Sequence, residues 1–528
     1  MLARLHGFTL LGIEAIPLTI ECDISGGLPG IHTVGLPDAA VRESAERIRS
    51  ALRHTGCDLP ARRITISLAP ADLRKQGSAL DLPIALGIVV AAGQAPPGRL
   101  RELLVAGELG LDGSVRPVRG VLTAALLARR MALKEIVVPH ANAAEAVAVA
   151  GGGVLGVRSL GEAIAILRGD CPPAAVPPAP AAPSGVVPDL ADVRGQAHAR
   201  RALEVAAAGG HHLLMIGPPG CGKSMLARRL PGILPPLLPE EAIEVSSIHS
   251  AAGLLPSGRL LERRPLRAPH HTISGIGLVG GGRGPRPGEI TLAHHGVLFL
   301  DELPEFGRGT LDVLRQPMEQ GEVFITRENR TLRMPARAMF VAAMNPCVCG
   351  RWGSEDRPCG CTPAMVARYR ERVSGPLLDR FDLQVGLPAV PAREMRKGSP
   401  GEPSRQVAAR VEAARRRQQE RFGGPAGMSA TAAATNAAMG PDPLRRHADP
   451  GEAGRRLLET AMTRLGLSAR SHDAVLRVAR TIADLEDREA VAAEHIAEAI
   501  QYRNLDRFAG SGGDARDPRG LTPQRGGV

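Results

Sequence analysis

The segment HHLLMIGPPGCGKSMLARRL constrains this chain most. An apolar run, Leu213 to Ile216, leads directly into Gly217-Pro218-Pro219-Gly220-Cys221-Gly222-Lys223-Ser224, and a helical pattern follows at once. This is G-x-x-x-x-G-K-S in the strand, loop and helix context that its chemistry requires. Glycines at 217, 220 and 222 let the backbone wrap a phosphate with its N–H groups turned inward, and the next helix adds its positive end. Lys223 is placed to reach β and γ phosphates, and the Ser224 hydroxyl to bind Mg²⁺. Lys223 is one of only four lysines, with Lys75, Lys134 and Lys397, which makes a chance match less credible. The pattern predicts an α/β nucleotide-binding core that takes ATP and Mg²⁺.

Three further motifs extend that site. In GVLFLDELPEF, the apolar residues Val297 to Leu300 end at Asp301 and Glu302, as a buried parallel strand delivering carboxylates to its C-terminal edge. Asp301 is expected to hold magnesium through water, and Glu302 to act as general base on the attacking water. A second run, Met339 to Ala343, leads to Asn345, placed either for the nucleophilic water or γ-phosphate or as a turn residue before Pro346. In SGPLLDRFDLQV, Arg380 suits an arginine finger, or an ion pair with Asp379 or Asp382.

Length and composition set the frame. The 528 residues exceed one ordinary domain. Residues 1–168 read as mixed strands and helices, including strands at Ile64–Leu68 and Ile136–Val138 and helices at Asp38–His54 and Val121–Met131. Residues 169–188 read as a proline- and alanine-rich linker, 189–390 as a parallel α/β core, 391–508 as a helical lid with a flexible insertion, and 509–528 as a disordered tail. No apolar run reaches membrane-spanning length and no secretory cleavage site is evident, so a cytoplasmic protein without membrane attachment is expected. A formal charge of +11 and a pI near 9.9 favour a polyanionic partner, nucleic acid first, although a GC-biased composition yields the same balance. With one Trp, two Tyr and eight Phe, base stacking on aromatic platforms is disfavoured, leaving arginine on phosphate.

Two basic segments are candidates for that grip. RRPLRAPHHTISGIGLVGGGRGPRPGEI places Arg263, Arg264, Arg267, Arg283, Arg286, His270 and His271 among glycines, as a flexible basic loop. GEVFITRENRTLRMPAR alternates through Val323 and Ile325, turns at Glu328-Asn329, and carries Arg327, Arg330 and Arg333 on a hairpin. Solvated loops or subunit contacts are the alternative for both. Four of the eight cysteines form two C-x-C pairs, Cys347 with Cys349 and Cys359 with Cys361. They fit a tetrahedral Zn²⁺ site better than disulfides, with reduced thiols or a redox-sensitive pair as alternatives.

Together the phosphate loop, DELPEF, AAMNPC and LLDRFD resemble the AAA+ ATPases, and in particular the magnesium-chelatase-like YifB/ComM family. The stretches ISGGLPGIHTVGLPDAAVRESAERIRSAL, RPLRAPHHTIS, PGEITLAHHGVLFLDELPEF, SGPLLDRFDL and VARTIADL carry the resemblance across most of the chain. It implies a five-stranded AAA+ P-loop core with a helical lid and a homo-hexameric ring, ATP lying between subunits and Arg380 acting on a neighbour's nucleotide. It implies Arg470 as the lid (sensor 2) arginine, acting within its own subunit. Where the family reads Ala-Tyr-Asp-Arg after that Ala-Arg, this chain reads Ser471, His472, Asp473 and Ala474, which keeps Arg477 as the alternative. The basic insert corresponds to a helix-2 insert, and the hairpin to one that contacts DNA in related motors.

The N-terminal region resembles the Lon-protease-like (ribosomal S5 domain 2-like) α+β fold. Ile84 and Leu122 stand in the columns of Lon's serine and lysine, which predicts no peptidase activity, since neither side chain can attack a carbonyl or relay a proton. The activity implied by the resemblance is a DNA helicase that migrates branches while incoming single-stranded DNA is integrated in natural transformation. The alternative is a magnesium-chelatase-type ATPase that remodels a protein partner.

Overall fold

The computed structural model describes residues 2–150, 153–170, 187–255, 258–282, 284–327, 330–352, 358–389, 401–423 and 435–503. Most of the expected linker, the lid insertion around 424–434 and the tail lie outside them, as does Arg283.

A five-stranded parallel sheet forms the centre of the nucleotide-binding part. Its spatial order is Leu266–Arg267, Val297–Leu300, Met339–Met344, Leu213–Ile216 and Leu383–Gly386. The three strands Val297–Leu300, Met339–Met344 and Leu213–Ile216 are apolar almost throughout because both faces are covered. Alternate residues serve opposite faces. Leu213, Met215, Val297, Phe299, Val341, Ala343 and Val385 pack with helix Ala197–Gly209 and the lid. Leu214, Leu298, Leu300, Phe340, Ala342 and Met344 pack under the hairpin and helix Gly375–Leu378. The register sets Leu213 opposite Val341, and Phe299 opposite Val341 on the other side, so the three strands reach one edge together.

The lid comprises helices Ser404–Phe422, Pro441–His447, Gly451–Leu465, Ala469–Leu485 and Ala493–Gln501. In Ala469–Leu485, Val475, Val478, Ala479, Ile482 and Ala483 form the buried stripe expected of an amphipathic helix, and Ser468 caps its start by accepting from Ser471 N. A polar cluster sits inside the lid. Asp484, fully buried, accepts from Arg421, Arg480 and Asn436. His211 joins lid and core, its ring nitrogens 3.1 Å from Asp382 Oδ2 and 2.8 Å from Thr481 Oγ1.

The N-terminal part is a seven-stranded mixed sheet in the order Gly30–Val34, Arg63–Ala69, Glu14–Ser25, Ala3–Leu11, Leu103–Val105, Glu135–Pro139 and Val154–Val157. Helix Ala39–His54 starts on Asp38, whose side chain accepts from Val41 N, and Val121–Arg130 is the helix expected from its pattern. Ile84 and Leu122 are fully buried in two separate apolar clusters. This part docks on helix Pro239–Ala252: Gly120 N donates to Ser250 O at 3.0 Å, and Ser250 Oγ donates to Glu145 at 2.7 Å. Among the described residues no helix is long and apolar enough to cross a membrane.

Candidate nucleotide site

Because the sheet is parallel, Ile216, Leu300 and Met344 release their following residues at the same C-terminal edge. The loop from Gly217 to Ser224 therefore lies beside Asp301, Glu302 and Asn345. Gly220 and Gly222 have φ of +79° and +97°, the left-handed region that glycine enters without a Cβ penalty. A Cβ at Gly217 would stand 2.5 Å from Leu387 O, so that position excludes any larger residue. Lys223, nearly buried, donates to Gly217 O at 2.6 Å, Pro218 O at 3.0 Å and Asn345 Oδ1 at 3.1 Å. All three acceptors are neutral, and no carboxylate stands within ion-pairing distance among the described residues. Burial holds the ammonium below the ordinary lysine range and pushes the neighbouring Cys221 thiol up. A buried cation whose direct partners are all neutral, set in a cradle of glycine backbone, fits an anionic ligand.

Ser224 Oγ donates to Asp301 Oδ2 at 2.5 Å, pairing the hydroxyl and carboxylate that suit Mg²⁺. Glu302 adopts φ +53°, rare for a residue with a side chain, while its N–H donates to Asp301 Oδ1 at 3.0 Å. Its carboxylate is half exposed and lies 3.3 Å from His271 Nδ1. His271, expected as a DNA contact, packs on His270 with ring centres 4.1 Å apart and planes tilted by 34°, and lies beside the catalytic-base candidate. That pairing had no signal in the sequence, because the two residues sit on separate strand ends.

Arg380 pairs with neither Asp379 nor Asp382, the partners its sequence neighbours offered. Asp382 is taken by His211, and Arg380 Nη2 donates instead to Glu319 Oε1 at 2.5 Å. Arg470 Nη1 donates to the same oxygen at 2.6 Å. Arg477, the alternative lid arginine, donates to Met439 O. Neither Arg380 nor Arg470 contacts the phosphate loop among the described residues.

The four cysteine sulfurs lie within 4.8 Å of one another. Cys347, Cys349 and Cys359 Sγ atoms are 3.4 to 3.7 Å apart, too far for a disulfide and close to the ~3.8 Å edge of a tetrahedron built on ~2.3 Å metal–sulfur bonds. Trp352 N and Cys361 N point at Cys347 and Cys359 Sγ, as N–H groups do around metal thiolates. The Arg351 N–H holds the Cys349 thiol down to about 6. The cluster also touches the nucleotide loop: a Cβ at Gly350 would stand 2.5 Å from Pro219 Cδ.

The basic insert departs from expectation. It is built rather than loose, with strand Leu266–Arg267, helix Gly275–Val279 and a short antiparallel pair of Gly280–Gly281 with Arg286–Pro287. Arg264 is bound by Pro235 O, His295 O and Glu241, and Arg267 by both oxygens of Glu289 at 2.6 and 2.8 Å. Both guanidiniums are engaged by acids of the same fold. The hairpin forms as predicted, with Glu322–Arg327 paired to Arg330–Pro335 and Arg327 opposite Arg330 at its tip, while Arg333 is held by Glu322.

These features define a P-loop nucleotide-binding protein. Residues 189–395 match the magnesium chelatase subunit ChlI family, 20–142 a second ChlI family profile, and 401–503 the ChlI C-terminal family. The chain is 43% identical to YifB of Salmonella typhimurium over 513 residues, covering 96% of this chain and 98% of that protein. It is 42% identical to competence protein ComM of Haemophilus influenzae over 514 residues, with the same coverage. The magnesium-chelatase 38 kDa subunit of Acidiphilium rubrum is 28% identical over 158 residues, 25% of this chain and 45% of that protein. The chain belongs to the YifB/ComM family of magnesium-chelatase-like AAA+ proteins.

Proposed function

We propose that the chain is an ATP-hydrolysing AAA+ motor that works on DNA as a homo-hexamer, in branch migration during the integration of DNA in natural transformation. The observation that carries the ring is the shared hold of Arg380 and Arg470 on Glu319, away from their own phosphate loop. Arg380, held there, is the finger offered to a neighbouring subunit's nucleotide, and Arg470 is the lid arginine that reaches the γ-phosphate of its own subunit.

Within each site Lys223 binds β and γ phosphates, Asn345 orients the attacking water, and Glu302 accepts its proton. Ser224 and Asp301 hold Mg²⁺, which when bound neutralises charge on the phosphate oxygens. Cys347, Cys349, Cys359 and Cys361 hold Zn²⁺, which braces the loop after Asn345. Arg327 and Arg330 at the hairpin tip are the DNA contacts, with His270 beside them in role. The N-terminal part is a Lon-type domain without peptidase activity, because fully buried Ile84 and Leu122 supply no nucleophile or base.

The name of the Haemophilus relative and the basic balance of the chain support a DNA role over remodelling of a protein partner. The chelatase subunit resembles only a quarter of this chain. The test is phosphate release with and without single-stranded or forked DNA, with particle mass measured in ATP. A hexamer whose turnover rises markedly with DNA supports the reading. A monomer in ATP, or turnover indifferent to DNA, overturns it.

A further inference from the structure

A cavity of about 290 Å³ lies between the N-terminal sheet and the insert, lined among others by Leu10, Asp38, Gln76, Arg119, Gly284 and Arg286. None of its lining residues belongs to the phosphate loop or to the Asp301-Glu302 pair. We propose that this cavity is a second phosphate-binding site, with Arg119 and Arg286 as its ligands.

The argument starts from charge. Among the described residues neither guanidinium has a hydrogen-bond or ion-pair partner. The stem of Arg119 lies against Gly253, where a Cβ would meet its Cγ and Cδ at 3.1 Å. Arg119 and Arg286 line the same cavity, and partial burial together with the Arg286 charge holds Arg119 below the ordinary arginine range. Asp38, the one acid in the lining, is paired with neither: its oxygens accept from Val41 N at 2.9 Å and Gly77 N at 3.1 Å, and its single charge is outnumbered by the two guanidiniums. Two guanidiniums on one cavity, with no acid paired to either, repel one another, and an anion between them turns that repulsion into attraction.

Size and shape select the anion. Guanidinium forks match the oxygens of a phosphate bidentately. The volume stands at the lower end of the roughly 300–1,000 Å³ of small-molecule sites, enough for a phosphate or diphosphate group. Packing makes the walls firm, as a Cβ at Gly284 would stand 2.3 Å from Gln76 Oε1. The cavity also borders the hairpin: Gly12, another lining residue, lies against Met334, with a Cβ there 2.9 Å from Met334 Cε. The phosphate therefore belongs either to a nucleic-acid backbone running past the hairpin or to a free anion.

The test uses the full chain with its nucleotide loop saturated by MgADP. Pyrophosphate is titrated by calorimetry, and labelled oligothymidylate by anisotropy across a salt series. Arg119→Ala/Arg286→Ala is compared with wild type, with exposed Arg130→Ala as control and Arg119→Lys/Arg286→Lys to retain charge without the fork. A saturable pyrophosphate isotherm weakened at least tenfold in the double alanine variant supports a free-anion site. Weaker oligothymidylate binding, with a salt slope reduced by about 1.4 for two lost contacts, supports the backbone source. Both titrations unchanged in a folded alanine variant overturn the proposal. ATP turnover in the same samples reports separately on the nucleotide site.

Discussion

His271 Nδ1 lies 3.3 Å from Glu302 Oε2, joining the insert to the carboxylate proposed to activate water. Glu302→Gln should bind ATP with unchanged affinity and lose at least 100-fold in kcat, since a positioned base contributes roughly 10²–10⁴. His271→Ala should lower kcat several-fold with KM unchanged, because it removes the group that aims Glu302. Steady-state phosphate release and fluorescent-nucleotide titration check both; a normal kcat for Glu302→Gln removes that residue from its role.

Arg380 and Arg470 converge on Glu319 Oε1. Arg380→Ala should abolish measurable turnover, an arginine finger being worth about 10³–10⁵. Mixing it with Glu302→Gln should restore activity, because some interfaces then combine an intact Glu302 with a neighbour's intact Arg380. Mixed rings, verified by native mass spectrometry, that stay inactive would place Arg380 in its own subunit's site.

The cysteine cluster packs on the phosphate loop through Gly350 and Pro219. Metal analysis should find one zinc per chain. Cys359→Ser should lose the metal, melt several degrees lower and raise KM for ATP. Protein purified without chelators that carries no zinc would refute the assignment.

Arg327 and Arg330 are register partners at the tip of the hairpin. Arg327→Ala with Arg330→Ala should weaken single-stranded DNA binding and reduce the salt slope by about 1.4. Anisotropy at several salt concentrations measures it; unchanged affinity would move the contact to another surface.

Asp484 is the acceptor for Arg421, Arg480 and Asn436 inside the lid. Asp484→Asn should destabilise the lid by about 3 kcal/mol, because the buried Arg480 loses its counter-charge. Urea unfolding followed by limited proteolysis of the lid reports the change.

The parts of the site that follow local chemistry were legible in the chain itself. The glycine loop, the strand ending in Asp301-Glu302, the hairpin and the C-x-C pairs are short-range patterns, and the strand and hairpin formed where their periodicity pointed, whereas the insert expected as a loose loop is built. Parallel strands then had to bring their C-terminal residues to one edge. What the arginines do was not legible. Arg264 and Arg267 read as free basic residues yet are held by Glu241 and Glu289, and Arg380 is held by Glu319 rather than by an acid beside it.

Sequence alone determined the nucleotide chemistry, because a phosphate cradle needs particular residues at fixed short spacing. Tertiary structure alone decided which charges are spent and which remain available. Ion pairing depends on distances between segments remote along the chain, and those distances exist only once the sheets and helices have packed.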